Sequence, residues 1–370
     1  MNIQKRGVDI LLALEGIALI IVLVIGLLSA ATSTEPNQSM PSAGSEQESE
    51  SESYGEGDAS ESENEPETEI VPGTESESES ESTTEPEGNP EPEQPAWVVP
   101  DTYVEAQITF SDGVEAKIAA MTIEQKIAQL FMVTPEQLTG YNRVTAFGNA
   151  SKNAFNKNQV AGLVYSMHNY QNTTQMKNLV YNADAYSRNT YGIGLFTLMQ
   201  DDTAELTQDE STFATTHRFN LLTGTGNDVL AIHNAGMTAL VKNFMNSNTT
   251  IDDAHMIQCK SIVDGGAKMI VLGKHEVPGL LGNAGVPCNQ SDRVIGLIRN
   301  GMGYTGILVA EGLTEATDYV TAIKSGMDMI MVPGDYGVAY NQILQAVNSG
   351  EISQERLHNA LGRILTVKGI

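Results

Sequence analysis

The stretch from Ala235 to His255 reads AGMTALVKNFMNSNTTIDDAH, and the fold assignment starts from its pattern. A small-residue turn is followed by an apolar run of strand length, Met237 to Val241, and then by Lys242. A polar loop comes next and ends in Asp253 and His255, a carboxylate and an imidazole two residues apart. Strands that deliver such side chains to a loop at their C-terminal end are typical of barrel enzymes. A capping Asp beside a surface His explains the same residues, so the rest of the chain has to decide between the two interpretations.

The acidic residues of this 370-residue chain are unevenly distributed. Of its 47 Asp and Glu residues, 20 lie between Ala31 and Pro100, where there is no Lys or Arg. This stretch therefore accounts for most of the net charge of −27. Residues 101–370 carry 25 acidic and 18 basic residues without a basic stripe, which argues against nucleic acid as a partner.

The first 31 residues predict a membrane anchor. Lys5 and Arg6 precede an apolar segment, and residues 10–31 are long enough to cross a bilayer once. The basic residues favour an N-terminus inside the cell. Cleavage as a signal peptide at the small residues 29–31 is the alternative. In either case we expect the rest of the chain outside the cytoplasm, held at the cell membrane if the anchor stays.

Residues 32–100 predict a disordered linker. They are rich in Ser, Glu, Pro and Gly, with strict Ser-Glu alternation from Glu75 to Ser82, and they contain almost no aliphatic residues. Such a segment cannot bury enough apolar surface to offset its chain entropy, and its like charges keep it extended.

Residues 101–370 predict an α/β domain. Seven continuous apolar runs of strand length alternate with helical stretches, which favours a parallel sheet covered on both faces. About 270 residues is a usual size for a TIM-type (β/α)8 barrel. Residues 201–226 show no clear unit, so completeness of the barrel around strand 4 stays open, and a doubly wound open sheet is the alternative.

The two cysteines, Cys259 and Cys288, allow either a disulfide outside the cell or two buried free thiols. Neither cysteine nor histidine spacing matches a zinc site, and no metal or cofactor is predicted. The oligomeric state is left open.

Five motifs follow one another along the predicted domain: MTIEQKIAQLFMV (121–133), VAGLVY (160–165), AKMIVLGKH (267–275), GYTGILVAEGL (303–313) and ERLHNALGRIL (355–365). In this order they resemble the catalytic barrel domain of glycoside hydrolase family 3, in particular its β-N-acetylhexosaminidases. The resemblance covers residues 115–368.

The resemblance implies the catalytic residues. The family places an acid/base Asp-x-His after its fifth strand, which corresponds to Asp253 and His255, with the Asp orienting the His. A histidine suits this role because its usual pKa is near neutral. The family's nucleophile is an Asp that ends strand seven, and Glu311 stands at that position. Its extra methylene moves the attacking oxygen by over an ångström, so the backbone would have to compensate.

The resemblance also implies residues that bind the sugar, and here the sequence departs most from the family. Lys242 is retained, Asn243 replaces a histidine, and His275 ends strand six. Asp202 replaces a Glu in a motif whose sugar-gripping Asp is Gln200 here and whose Arg is Glu205. Around strand four only Arg218 and Phe219 remain of an Arg-x-Phe.

Two functions are compatible with this sequence. The first is a membrane-tethered, extracytoplasmic hydrolase of N-acetylhexosamine-containing glycans, with cell-wall peptidoglycan as the natural substrate. The second is a catalytically degenerate barrel that binds glycans or serves as a structural module. Retention of the Asp253–His255 pair favours the first function, and the altered positions Gln200, Glu205 and Glu311 favour the second.

Overall fold

The computed structural model describes residues 97, 99–200, 208–245, 253–277 and 285–370; of residues 208–210 and 253 it describes the backbone alone. The predicted anchor and nearly all of the predicted linker lie outside these residues. Every described residue belongs to one compact unit, Glu87–Ile370. Within the described residues no helix is both long enough and apolar enough to cross a membrane.

The described part of this unit contains a parallel sheet of eight strands in the order β3-β2-β1-β8-β7-β6-β5-β4. The first and last strands of the sequence pair with each other, as they do in a (β/α)8 barrel. All seven predicted strands are confirmed, and β4 is the strand that the sequence pattern did not predict. The strands are β1 (Phe131–Val133), β2 (Gly162–Tyr165), β3 (Phe196–Met199), β4 (Leu221–Gly224), β5 (Thr238–Val241), β6 (Met269–Leu272), β7 (Ile307–Ala310) and β8 (Met329–Met331).

Helices follow the strands and cover the outside of the barrel. Polar residues fix where they begin: the Thr122 and Thr134 side chains each accept a hydrogen bond from the third residue of a helix, and Ser353 does the same for the last helix. The α-helices are Asp112–Ala120, Ile123–Ala128, Pro135–Thr139, Asn149–Lys157, Thr173–Tyr191, Gln208–His217, Val229–Asn234, Asp253–Asp264, Asp292–Gly296, Ala316–Ser325, Tyr336–Asn348 and Gln354–Val367.

The seam between β3 and β4 is where the barrel is weakest. Among the described strands no ladder joins β3 to β4, and the side chain of Asn220 bridges them instead. Thr197 N–H donates to Asn220 Oδ1 at 2.8 Å, and Asn220 Nδ2 donates to the Leu195 carbonyl at 2.7 Å. The helix after β4, Val229–Asn234, has only six residues. The fourth unit is therefore present but reduced, and the barrel is nearly closed.

The N-terminal end of the barrel is held by buried charges. Asp328, which directly precedes β8, is fully buried and contacts the guanidinium groups of Arg299, Arg356 and Arg363 at 2.5, 2.5 and 2.9 Å. Glu105, from the segment before the first helix, contacts Arg356 and Arg363. Burial alone would raise the pKa of Asp328, but the three guanidinium groups hold it at about 2. This end of a barrel is where buried networks serve stability, which leaves the opposite end for chemistry.

Candidate active site

A cavity of about 170 Å³ opens among the C-terminal ends of the strands. Residues from the ends of six different strands meet there, which is the arrangement that barrel enzymes use for catalysis. The cavity is smaller than the roughly 300 Å³ at which ligand pockets usually begin, and it is bounded here by described residues only. Its lining is Val164, Leu198, Gln200, Thr223, Lys242, Glu311, Gly312, Met331 and Val332.

Two predicted site residues form an ion pair inside this cavity. Lys242 Nζ, after β5, lies 3.2 Å from Glu311 Oε2, after β7. The side chains are 24% and 34% exposed, so both remain accessible from solvent. Because β6 lies between β5 and β7, the pair spans the mouth of the barrel and joins two strands that are not neighbours.

The backbone of Glu311 is held on both sides. Its N–H continues the ladder by donating to the Leu272 carbonyl at 3.1 Å. Its carbonyl accepts a hydrogen bond from Asn289 Nδ2 at 2.9 Å. Gly312 then turns the chain with a φ of 75°, a conformation that favours glycine. Glu311 thus projects from a fixed backbone at the end of β7.

Strain is concentrated beside the ion pair. Asn243 and Met245, directly after β5, have φ angles of 58° and 57°, and Val332, after β8, has a φ of 45°. Asparagine tolerates this left-handed region, but for methionine and above all for β-branched valine it is unfavourable. Such residues persist only where their surroundings determine them, and they cluster at functional sites.

His275 stabilises one of these strained residues. Its Nε2 lies 3.0 Å from the Met245 carbonyl. Since a carbonyl can only accept, Nε2 carries the proton and donates. Burial lowers the pKa of His275, while the nearby Met245 carbonyl and the Glu311 carboxylate oppose this shift. His275 is not among the described residues that line the cavity, and its predicted contact with substrate stays a prediction.

The predicted acid/base pair lies in the first turn of the Asp253–Asp264 helix. His255 is half-buried and is not among the described residues of the cavity wall. Asp253 begins the helix, and its side chain lies outside what the structure describes. The roles assigned to both residues stay predictions.

The remaining predicted substrate-binding residues are dispersed. Gln200 lines the cavity, whereas Asp202 lies outside the described residues. Asn243 is exposed next to Lys242. Arg218 precedes β4, at the end of the barrel opposite the cavity, and its guanidinium lies 4.9 Å from the centre of the Tyr181 ring. This placement does not bring Arg218 to the site, because Arg218 lies three residues before the first residue of β4.

Both cysteines are free and buried. Burial raises the pKa of the Cys259 thiol to about 11 and that of the Cys288 thiol to about 12. Thiols with such raised pKa values are poor nucleophiles. Among the described residues, no group of three or more His, Cys, Asp and Glu side chains could hold a metal ion.

Sequence comparison identifies part of the chain. Residues 233–367 match the family model of the glycosyl hydrolase family 3 N-terminal domain. The matched region includes Lys242, His255 and Glu311. No curated protein matches the sequence.

Solved structures resemble the barrel at low sequence identity. A glycoside hydrolase family 3 β-N-acetylglucosaminidase from Paenibacillus sp. str. FPU-7 has a TM-score of 0.55 at 17% identity, over 67% of this chain and 62% of that chain. A family 3 glycosyl hydrolase from Mycobacterium smegmatis str. MC2 155 has a TM-score of 0.54 at 15% identity, over 68% and 99%. A β-N-acetylhexosaminidase from Beutenbergia cavernae DSM 12333 has a TM-score of 0.53 at 15% identity, over 68% and 100%.

At these identities the likeness is one of fold. This chain spans less than two thirds of the Paenibacillus enzyme and nearly all of the Mycobacterium and Beutenbergia proteins. The fold, the order of the strand-end motifs and the family match agree with one another. Residues 233–367 are thus similar in sequence to the N-terminal domain of glycosyl hydrolase family 3, and the barrel shares the fold of the solved family 3 structures.

Proposed function

We propose that this barrel is a retaining hydrolase of N-acetylhexosamine-containing glycans. The Lys242–Glu311 pair in the cavity at the strand ends carries the proposal, because it presents an accessible carboxylate where a barrel enzyme places its catalytic groups. The named activities of the Paenibacillus and Beutenbergia proteins support N-acetylhexosamine as the substrate class.

In the first step Glu311 attacks the anomeric carbon of the sugar. A covalent ester to Glu311 forms as the glycosidic bond breaks, and the leaving oxygen takes a proton from His255. The nucleophile has to be ionised for this attack. The Lys242 ammonium lies 3.2 Å away and has further N–H groups to donate to sugar hydroxyls.

In the second step water attacks the same carbon from the side opposite Glu311. The now neutral His255 removes a proton from this water, the ester bond breaks, and Glu311 is released as a carboxylate. The sugar keeps its anomeric configuration because it is inverted twice. Asp253 is assigned to orient His255 in both steps.

A glycan-binding module without catalysis is the second candidate, and Gln200 favours it. A neutral amide in the cavity wall can still donate to and accept from sugar hydroxyls, but it lacks the charge that strengthens such hydrogen bonds. A site altered in this way can keep binding a sugar after losing turnover.

We further propose that residues 1–31 anchor the chain in the cell membrane and that the acidic linker carries the barrel outside the cytoplasm. Cell-wall peptidoglycan is then the nearest N-acetylhexosamine-containing glycan. The support for this step is the apolar segment after Lys5 and Arg6 and the composition of residues 32–100.

A chromogenic N-acetyl-β-glucosaminide tests the catalytic proposal. We expect the protein to release the chromophore and Glu311→Gln to abolish release, because an amide cannot form the ester. Lys324→Gln, which breaks an exposed ion pair with Glu351, is the matched control and should keep full activity. Retention of chitooligosaccharides without cleavage would favour the binding module. If the protein neither retained these sugars nor released the chromophore, both candidates would be excluded.

A further inference from the structure

The segment that follows β6 reaches both partners of the candidate site. From its first part, residues 273–277, the side chain of His275 contacts the loop after β5 that carries Lys242. From its last part, residues 285–291, the side chain of Asn289 contacts Glu311 itself. We call these two residues the bracket.

The His275 arm of the bracket acts on a residue that would not hold its conformation alone. Met245 has a φ of 57° and a fully buried side chain, so its backbone needs a partner to stay in place. His275 Nε2 supplies one at 3.0 Å, on the carbonyl of Met245. Lys242 lies three residues earlier, and its N–H donates to the Gly224 carbonyl at 3.1 Å. Both ends of the Lys242–Met245 turn are thereby held.

The Asn289 arm is buried completely. The Asn289 side chain is 0% exposed, its Nδ2 donates to the Glu311 carbonyl at 2.9 Å, and its Oδ1 has no hydrogen-bond partner in the described structure. Leaving a buried amide oxygen unpaired is unfavourable. The amide is nevertheless oriented toward Glu311, which indicates that this one contact is the reason for a polar residue here.

The two arms are connected to each other. Cys288 N–H donates to the His275 carbonyl at 2.8 Å, and Asn289 N–H donates to the Gly273 carbonyl at 3.3 Å. Displacement of one arm therefore shifts the other. The bracket links the backbone beside Lys242 to the backbone of Glu311 across β6.

We propose that His275 and Asn289 are positioning residues that together set the Lys242–Glu311 separation. His275 acts through Met245, and Asn289 acts through the Glu311 carbonyl. In this role the bracket supplies the backbone support that a glutamate at the nucleophile position requires. The inference rests on the proposed function for its purpose, but the bracket itself is a statement about structure.

Hydrogen exchange tests the bracket in the full-length protein without any need for turnover. The reporters are the amides of Lys242 and Glu311, and the amide of Val332, which donates to the Met132 carbonyl at 2.8 Å, reports on the rest of the barrel. We expect His275→Leu and Asn289→Ala to speed exchange of both reporters by about tenfold, the effect of losing one hydrogen bond, with Val332 unchanged. His275→Gln, whose amide can still donate to Met245, should restore slow exchange.

Matched controls separate positioning from general destabilisation. Asn169→Ala removes an equally buried amide that donates to Glu136 and Val144, and His358→Gln changes a histidine that contacts Glu115. Neither should alter the two reporters relative to Val332. If Asn289→Ala does not fold, Asn289→Ser and the His275 variants carry the test.

Exchange that rises equally at Lys242, Glu311 and Val332, or that stays unchanged in His275→Leu, would overturn the bracket. If the wild-type protein cleaves the chromogenic substrate at a measurable rate, we further expect kcat to fall in His275→Leu with KM unchanged. In His275→Gln, kcat should recover. Loss of kcat in His275→Gln as well would instead indicate direct chemistry by the imidazole. A wild-type protein without turnover would contradict the proposed function and leave the exchange result to decide on the bracket.

Discussion

Lys242 Nζ and Glu311 Oε2 lie 3.2 Å apart across the mouth of the barrel, although their strands are separated by β6. A pair with a quarter to a third of each side chain exposed contributes at most about 1 kcal/mol to stability. Its value therefore lies in the site, where it places an ammonium group beside the candidate nucleophile in a cavity open to solvent.

We predict that Lys242→Met separates activity from stability. Methionine keeps the apolar stem of the side chain but removes the charge, so the rate of substrate cleavage should fall by roughly 10²–10³-fold, the usual effect of losing a charged group that stabilises the transition state. The melting temperature should stay within a few degrees of wild type. Steady-state kinetics and thermal unfolding measure the two effects, with Lys324→Met as the control for loss of a surface charge. A wild-type rate in Lys242→Met would show that the ammonium takes no part in the reaction.

The buried network at the opposite end of the barrel predicts the reverse pattern. Asp328→Asn leaves three guanidinium groups without their central carboxylate, and breaking such a pair typically costs about 3–5 kcal/mol. Urea unfolding should show this loss. Asp264→Asn, which breaks the exposed i,i+4 pair with Lys260, should cost less than about 0.5 kcal/mol. Equal stability of the two variants would mean that the buried network does not hold the barrel.

The lowered pKa of Asp328 predicts how the free energy of unfolding depends on pH in the acidic range. The pKa of Asp328 is about 2 in the folded protein, against about 3.9 in an unfolded chain. Because the folded value is the lower one, the stabilisation is complete above about pH 4 and is lost as the pH falls through 2. Unfolding free energies measured from pH 6 to pH 2 should therefore decline more steeply for wild type than for Asp328→Asn. Parallel curves would assign the acid sensitivity to other groups.

The sequence allowed prediction of the barrel and of the edge on which its site lies. Continuous apolar runs mark strands buried on both faces, and the C-terminal ends of parallel strands meet at one end of a barrel. Lys242 and Glu311 each directly follow such a run, so their proximity follows from the strand assignment alone. In a barrel whose strands lie in sequence order, β5 and β7 flank β6, so a pair across β6 can be predicted from that order.

The bracket could not be predicted in the same way. Asn289 precedes Glu311 by 22 residues and lies in a 3-10 turn, Cys288–Gln290, that is too short to show a periodic sequence pattern. Whether a loop asparagine is exposed or fully buried depends on packing between segments distant in sequence. The His275–Met245 contact depends in turn on a positive φ at Met245, and methionine gives no local signal for that conformation.

The lowered pKa of Lys368 predicts that the free energy of unfolding depends on pH above neutrality. Burial of its ammonium lowers the pKa to about 7, although Nζ donates to the Ala161 carbonyl at 2.7 Å and lies 4.9 Å from the centre of the Phe196 ring. An unfolded lysine has a pKa of about 10.4, so the unfolded chain binds more protons between these values and stability rises with pH over that range. The difference in unfolding free energy between wild type and Lys368→Met should change from pH 7 to pH 10. A difference that is independent of pH would show that Lys368 stays charged in the fold.

The sequence pattern did not predict the fourth strand, which pairs with β5 by a backbone ladder but is joined to β3 largely by a side chain. Leu221–Gly224 is short, contains Thr223, and follows Asn220, whose amide takes the place of a backbone ladder to β3.

Asn220→Ala removes two hydrogen bonds from a half-buried seam and leaves the Thr197 N–H and the Leu195 carbonyl without these partners. We predict a loss of about 2–4 kcal/mol, one to two for each unpaired group, whereas Asn182→Ala on an exposed helix face should be nearly neutral. The Thr197 amide should exchange its hydrogen faster than the Leu308 amide on β7, because the Leu308 N–H donates to the buried Asp328 carboxylate. A stable Asn220→Ala with a protected Thr197 amide would mean that β3 and β4 pair without this bridge.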